Sequence, residues 1–106
     1  MFKETGIYLT GHFLNHLKLD GELAWFSRET NPISGYLWRC LEDNSGIYRF
    51  IGALELLPAA NTEGIPGLTL WKFQAQNKGK GMITFQRFRL GSTEPEETIT
   101  IHLEVS

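Results

Sequence analysis

The sequence TITIHLEV at residues 98–105 alternates between polar and apolar side chains over its whole length. Successive side chains of a β-strand point to opposite faces of the sheet. The apolar residues from Ile99 to Val105 therefore share one face and the polar residues share the other. The stretch predicts a strand whose apolar face lies in a core and whose polar face, including His102, meets solvent.

The same period of two recurs in Leu70–Gln76 and in Gly81–Leu90. In the first stretch, Trp71, Phe73 and Ala75 oppose lysine and glutamine side chains. Glycine, proline, asparagine and aspartate favour tight reversals of the chain, and they cluster between the apolar segments. Weaker strand signals occupy residues 16–19, 22–27, 36–41 and 47–56, and turn signals occupy residues 20–21, 31–32, 43–46, 77–81 and 91–95.

The 106 residues suit one domain, and the 42% of hydrophobic residues can form a core without disulfides. No segment carries a sustained helical stripe of apolar residues, whereas several short strands separated by turns predict an all-β fold. We expect a single β-sandwich or small barrel over residues 1–106, with residues 1–11 as a loosely ordered N-terminus. Loops at one end of such a scaffold can act together as a binding surface.

The composition argues against several classes of partner. A net charge of −2 gives no basic surface for a nucleic acid. No apolar run is long enough to span a membrane, and residues 1–6 lack the basic and apolar regions of a secretory signal. We therefore expect no nucleic-acid or membrane partner. The compartment stays open between the cytoplasm and, for a trimmed chain, the periplasm or the exterior.

Residues able to carry catalysis are sparse. His12 and His16 are four positions apart, a spacing that suits metal binding on a helix but not on a strand. Cys40 is the single cysteine, so it forms no internal disulfide, and on a predicted strand it is best interpreted as a small buried hydrophobe. The glutamates within residues 94–97 belong to a solvated hairpin loop. We expect no enzyme activity, no metal and no cofactor.

The segment NPISGYLW at residues 31–38 has the features of a displayed loop. Pro32 fixes its own φ and biases Asn31 toward an extended conformation, and Gly35 can adopt the positive φ that closes the loop. Ile33 and Ser34 are thereby held at the tip with little conformational entropy left to lose on binding. The tyrosine and the tryptophan that follow share a face and anchor the loop base to the core.

This segment resembles the Asn-Pro-Thr-Thr-Gly-(Tyr/Phe)-x-Trp signature of the chagasin-like inhibitors of papain-family cysteine peptidases. That family carries a second, glycine-rich loop and a third loop with an Arg-Pro-Trp core. Here the glycine-rich segment Gly64–Gly67 falls where the second loop is expected, and QRFRLG at residues 86–91 falls where the third is expected. The order and spacing agree from about Glu22 to Ser106.

The resemblance implies an immunoglobulin-like β-sandwich of antiparallel strands that acts as a reversible, competitive inhibitor. It also implies a monomer whose first loop enters the catalytic cleft of a papain-family cysteine peptidase, while the second and third loops grip either side. A hydroxyl at Ser34 would hydrogen-bond within the cleft. By this resemblance the peptidase-binding residues are Asn31, Pro32, Ile33, Ser34, Gly35, Gly64, Ile65, Pro66, Gly67, Arg87, Phe88 and Arg89.

The sequence departs from the family pattern in each loop. Ile33 replaces a threonine, and Pro66 stiffens the second loop and removes a backbone donor. Phe88 and Arg89 stand where proline and tryptophan are expected. These changes keep a second hypothesis open, a non-inhibitory immunoglobulin-like module that binds a protein or a glycan through the same loops. An enzyme is the third hypothesis, and it would need an open groove that pairs Cys40 with a histidine.

Overall fold

The computed structural model describes residues 6–30, 35–56 and 67–106, and these residues form two four-stranded β-sheets. The strands are numbered along the chain. The first sheet has the order β1 (Ile7–Tyr8), β3 (Leu23–Thr30), β6 (Gly67–Ala75) and β5 (Tyr48–Leu56). The second sheet has the order β2 (Asn15–Leu17), β8 (Pro95–Val105), β7 (Gly79–Arg89) and β4 (Tyr36–Glu42).

The core lies between the two sheets and follows from the period-two patterns. Alternate residues of β6 are buried from end to end, and Ile101, Leu103 and Val105 of β8 are at most 2% exposed. Phe26 of the first sheet stacks on Phe85 of the second, with ring centroids 4.2 Å apart. The β-sandwich expected from the sequence is confirmed, as is the core-facing side of residues 98–105.

The expectation of antiparallel strands needs correction, because both sheets are mixed. Strands β3 to β8 pair antiparallel wherever they pair with one another, but β1 pairs parallel with β3 and β2 pairs parallel with β8. The chain crosses from one sheet to the other between β1 and β2, so each strand joins a sheet edge without a hairpin. Asn15 anchors this crossing, because its buried Nδ2 donates to the carbonyls of Thr10 and His102, both at 2.9 Å.

A β-bulge changes the direction of side chains on β5. The register shifts between Phe50 and Gly52, so Phe50 pairs with the buried Phe73 whereas Leu54 pairs with Leu70 on the outer face of the sheet. A one-residue shift moves every later side chain to the opposite face. Leu54 is accordingly 57% exposed, although it has the same parity in the sequence as Phe50.

The strand register brings three connections to one end of the sandwich. They are the first loop (residues 31–35, between β3 and β4), the second loop (residues 57–66, between β5 and β6) and the third loop (residues 90–94, between β7 and β8). Thr30 pairs with Gly67, and Tyr36 pairs with Arg89. The strand residues that flank the three loops therefore lie together, and this end is called the loop end.

Hydrogen bonds to one aspartate hold the opposite end. Asp43 Oδ1 accepts from the amide and the hydroxyl of Ser45 at 3.1 and 2.6 Å, and Oδ2 accepts from the Met82 amide at 2.7 Å. The Tyr48 hydroxyl accepts from the Asp43 amide and donates to the Met82 carbonyl. Partial burial acts to raise the pKa of Asp43, but the hydrogen bonds from Ser45 and Met82 outweigh it and lower the pKa.

We expect Asp43→Ala to lower the free energy of unfolding at neutral pH by about 1 kcal/mol, because the Met82 amide loses its acceptor. The folded-state pKa lies below the unfolded value of about 3.9, so the carboxylate stabilises the fold above that pH. This contribution is lost as the pH falls through the folded-state pKa. Urea unfolding from about pH 7 to about pH 2 measures it, and Asp43→Asn is the isosteric control. A pH-independent difference between wild type and Asp43→Ala would contradict the assignment.

Candidate functional site

The structure describes five of the twelve residues predicted to bind a partner, and all five lie at the loop end. Gly35 closes the first loop, Gly67 begins β6, and the other three form the end of β7. Gly67 is buried and pairs with the last residue of β3. The remaining predicted residues, Asn31, Pro32, Ile33, Ser34, Gly64, Ile65 and Pro66, lie outside the described residues.

Gly35 has the backbone conformation that the sequence predicts. Its φ is +77°, in the left-handed region that glycine adopts without strain. A Cβ at this position would meet no heavy atom of the described residues within 4 Å, so among these residues the backbone angle rather than crowding disfavours a side chain here. The Gly35 carbonyl accepts from the Leu90 amide at 2.7 Å. This hydrogen bond joins the end of the first loop to the start of the third.

The three residues that the family resemblance assigns to the third loop lie in a strand, as the period-two run over Gly81–Leu90 predicts. Arg87, Phe88 and Arg89 are the last residues of β7 and pair with β4, and the connecting loop begins only at Leu90. Strand alternation places the two arginines on the inner face, continuing from the buried Phe85. Phe88 therefore points to the outer face, where the Arg39 guanidinium lies 5.2 Å from its ring centroid.

The two arginines of β7 converge on Tyr36, the first residue of β4. Their guanidinium carbons lie 4.9 Å (Arg87) and 5.6 Å (Arg89) from the Tyr36 ring centroid, within the range of cation–π attraction. Arg89 Nη2 also donates to the Tyr36 hydroxyl at 3.0 Å. Carboxylates of β8 pair with the same arginines, Glu97 with Arg87 at 3.8 Å and Glu96 with Arg89 at 3.5 Å.

A cavity of about 520 Å³ opens between the sheets at the loop end. Arg28 of the first sheet lines it beside Trp38, Arg87 and Glu97 of the second. The Arg28 guanidinium carbon lies 4.4 Å from the Phe26 ring centroid, so this arginine covers the end of the aromatic core. Arg87 Nε is buried and has no hydrogen-bond partner in the described part of the chain. The cavity is polar and carries charges of both signs.

The described residues show no arrangement suited to covalent or metal chemistry. Cys40 lies on β4 and packs against the core, and burial, with a smaller effect of the Glu42 carboxylate, raises its pKa to about 12. A thiol with this pKa stays protonated at neutral pH and is a poor nucleophile. Among residues 6–30, 35–56 and 67–106, no group of three or more His, Cys, Asp and Glu side chains could hold a metal. The same residues include no helix long and apolar enough to cross a membrane.

Comparison with known proteins gives one family and a shared fold. The family model described as chagasin family peptidase inhibitor I42 matches residues 19–105. No curated protein matches the sequence. The crystal structure of EhICP2, a cysteine protease inhibitor from Entamoeba histolytica, superposes with a TM-score of 0.77 at 18% identity and covers 95% of this chain and 96% of that chain. The solution structure of amebosin superposes with a TM-score of 0.70 at 20% identity, covering 96% and 99%.

We expect the Cys40 thiol of the folded protein to react with a disulfide reagent about 100-fold more slowly than a free thiol, because its raised pKa leaves little thiolate. Absorbance at about pH 8 follows the labelling, and the same protein unfolded in guanidinium is the control. Rapid stoichiometric labelling of the folded protein would show that Cys40 is more accessible and more ionised than its surroundings indicate.

Proposed function

Since this chain belongs to the chagasin family of peptidase inhibitors, we propose that it closes the active-site cleft of papain-family cysteine peptidases with its three loops. Family membership makes the protein an inhibitor of cysteine peptidases and not an enzyme. The proposal concerns the target family, the surface used and the mode of action. Binding is reversible and competitive, and the inhibitor acts as a monomer.

One observation carries the proposal. The strand register places the residues that flank the first, second and third loops at the same end of the sandwich. Three loops on one rigid end can act as a wedge, because the scaffold sets their separation before the partner arrives. Pre-organisation of this kind reduces the entropy that is lost on binding.

The first loop is proposed to meet the catalytic cysteine and histidine of the peptidase through Asn31–Gly35. Thr30, just before this loop, pairs with Gly67, and at the other end the Gly35 carbonyl accepts from Leu90. Attack on a peptide carbonyl requires close and aligned reacting atoms. A proline-containing loop fixed at both ends can fill the cleft while resisting that alignment, so the inhibitor is not cleaved.

The second and third loops are proposed to contact opposite sides of the cleft. Gly64–Gly67 supplies the first of these contacts, and Pro66 limits the conformations open to the loop. The end of β7 supplies the other contact. The side chain of Arg89 is 65% exposed and that of Arg87 is 37% exposed, so Arg89 is the more accessible of the two cations. Phe88 faces the opposite side of the sheet and offers an apolar contact there.

We expect the purified protein to inhibit papain and a cathepsin L-type peptidase competitively at submicromolar concentration. Steady-state rates at several substrate concentrations measure the inhibition constant and its type. Incubation of the inhibitor with excess peptidase, followed by mass spectrometry, tests whether the chain stays intact. No inhibition of either enzyme at tens of micromolar would contradict the papain-family assignment.

Substitution of Gly35 should weaken inhibition through the backbone. Gly35→Val forces a β-branched residue to a φ of +77°, at a cost of about 1–2 kcal/mol, and so distorts the first loop. Gly46→Val is the matched control, because Gly46 has a φ of +71°, an equally open surrounding and a position at the opposite end. We expect both variants to lose similar stability in thermal unfolding.

The two variants should differ in inhibition. Gly35→Val should raise the inhibition constant about tenfold or more, whereas Gly46→Val should retain wild-type inhibition while it is folded. Equal inhibition constants for the two variants would exclude a role for the first loop.

A further inference from the structure

We propose that Tyr36 is a positioning residue that fixes the first and third loops to one another, so that a peptidase meets them as one unit. The effect of this coupling on peptidase binding rests on the proposed function. The coupling itself rests on contacts within the chain. Tyr36 occupies the first position of β4, directly after Gly35, so it is the residue through which the first loop joins the second sheet.

Tyr36 contacts the third loop through backbone and side chain together. In the register of β4 and β7, Tyr36 pairs with Arg89, the last residue before the third loop. The next backbone hydrogen bond toward the loop end runs from the Leu90 amide to the Gly35 carbonyl at 2.7 Å. The side chains of Tyr36 and Arg89 are also bonded, because Arg89 Nη2 donates to the Tyr36 hydroxyl at 3.0 Å. A backbone hydrogen bond and a side-chain hydrogen bond thus join the residues that flank the two loops.

The same arginines connect Tyr36 to the far side of the third loop. Arg87 and Arg89 both place a guanidinium near the Tyr36 ring, and they pair with Glu97 and Glu96 at the start of β8. The strands before and after the third loop are therefore linked to one aromatic ring at the base of the first loop. The hydrogen bond to Tyr36 and the nearby Glu96 raise the pKa of Arg89, so the guanidinium remains charged.

The arrangement depends on the chemistry of an arginine and a tyrosine. An arginine has many rotamers, and holding it in one geometry on an exposed surface costs conformational entropy. The planar guanidinium can lie against an aromatic ring while it hydrogen-bonds in its own plane. Tyr36 offers both partners, the ring and the hydroxyl, whereas a phenylalanine would offer only the ring. Phe88 cannot substitute, because it lies on the opposite face of β7.

Hydrogen exchange of the Leu90 amide tests the coupling without any peptidase. Tyr36→Leu should reduce its protection about tenfold or more, and Tyr36→Phe, which keeps the ring, should retain part of it. The amides of Ile83 and Ile101 in the core report global stability and correct for it. Arg39→Ala is the matched control, because it removes an arginine–aromatic contact on the outer face of the same strands. Unchanged Leu90 protection in Tyr36→Leu would overturn the proposal.

A double-mutant cycle on inhibition tests whether the peptidase senses the coupling. Ser34→Ala in the first loop and Arg89→Ala beside the third should change the inhibition constant non-additively, with a coupling factor of about threefold or more. In the Tyr36→Leu background that factor should fall to about one, and Tyr36→Phe should restore part of it. A purely structural role would lower stability without removing the coupling.

The outcomes separate the two proposals. Lost Leu90 protection with a coupling factor that persists in Tyr36→Leu overturns the positioning role and leaves the inhibitor assignment intact. Failure of the wild-type protein to inhibit contradicts the proposed target family, and the Leu90 exchange still decides whether Tyr36 joins the loops.

Discussion

The contact between Phe26 and Phe85, with ring centroids 4.2 Å apart, joins the two sheets. It fixes how far the strands of each sheet extend toward the loop end. Phe26 lies four positions before the end of β3, and Phe85 lies four positions before the end of β7. Trp71, whose ring centroid is 4.9 Å from that of Phe85, lies four positions after the start of β6. A strand rises about 3.3 Å per residue, so these strands extend equally far beyond the aromatic contact. The three loops accordingly begin at one level, as the proposed wedge requires.

Beyond this aromatic contact the inner faces of β3 and β7 carry arginines, while Trp38 on the inner face of β4 still packs against the core. Arg28 follows Phe26 at the next inward position of β3, and Arg87 and Arg89 follow Phe85 along β7. Toward the loops, cation–π contacts and ion pairs therefore accompany the remaining aromatic packing. Each such contact is weak when it is exposed to solvent. The positions of the arginine side chains therefore depend on several contacts that converge on Tyr36. The described residues of this end are thus held by several contacts while their charged side chains remain partly exposed.

The sequence predicts most of the fold because most strands obey one period. It places β6, β7 and β8 through alternating apolar residues, and it identifies Gly35 as the residue that needs a positive φ. The family resemblance assigns Arg87–Arg89 to the third loop, whereas the period-two run over Gly81–Leu90 agrees with the strand, which ends at Arg89. The sequence also misses the parallel pairings, because β1 has two residues and β2 has three, which are too few to show an alternating pattern. The bulge in β5 leaves no sequence signal, because Leu54 keeps the parity of Phe50.

The departure from the family pattern at position 89 has a structural counterpart. The pattern places tryptophan there, and in this chain the position lies on the inner face beside Tyr36. A guanidinium is planar like an indole and can rest on the same aromatic surface, but it carries a fixed charge. Tyr36 then supplies the ring, and Arg89 supplies the cation, with Glu96 balancing part of the charge. The end of β7, next to the third loop, therefore carries a charged group where the family pattern has an apolar one, and Tyr36 and Glu96 hold that charge in place.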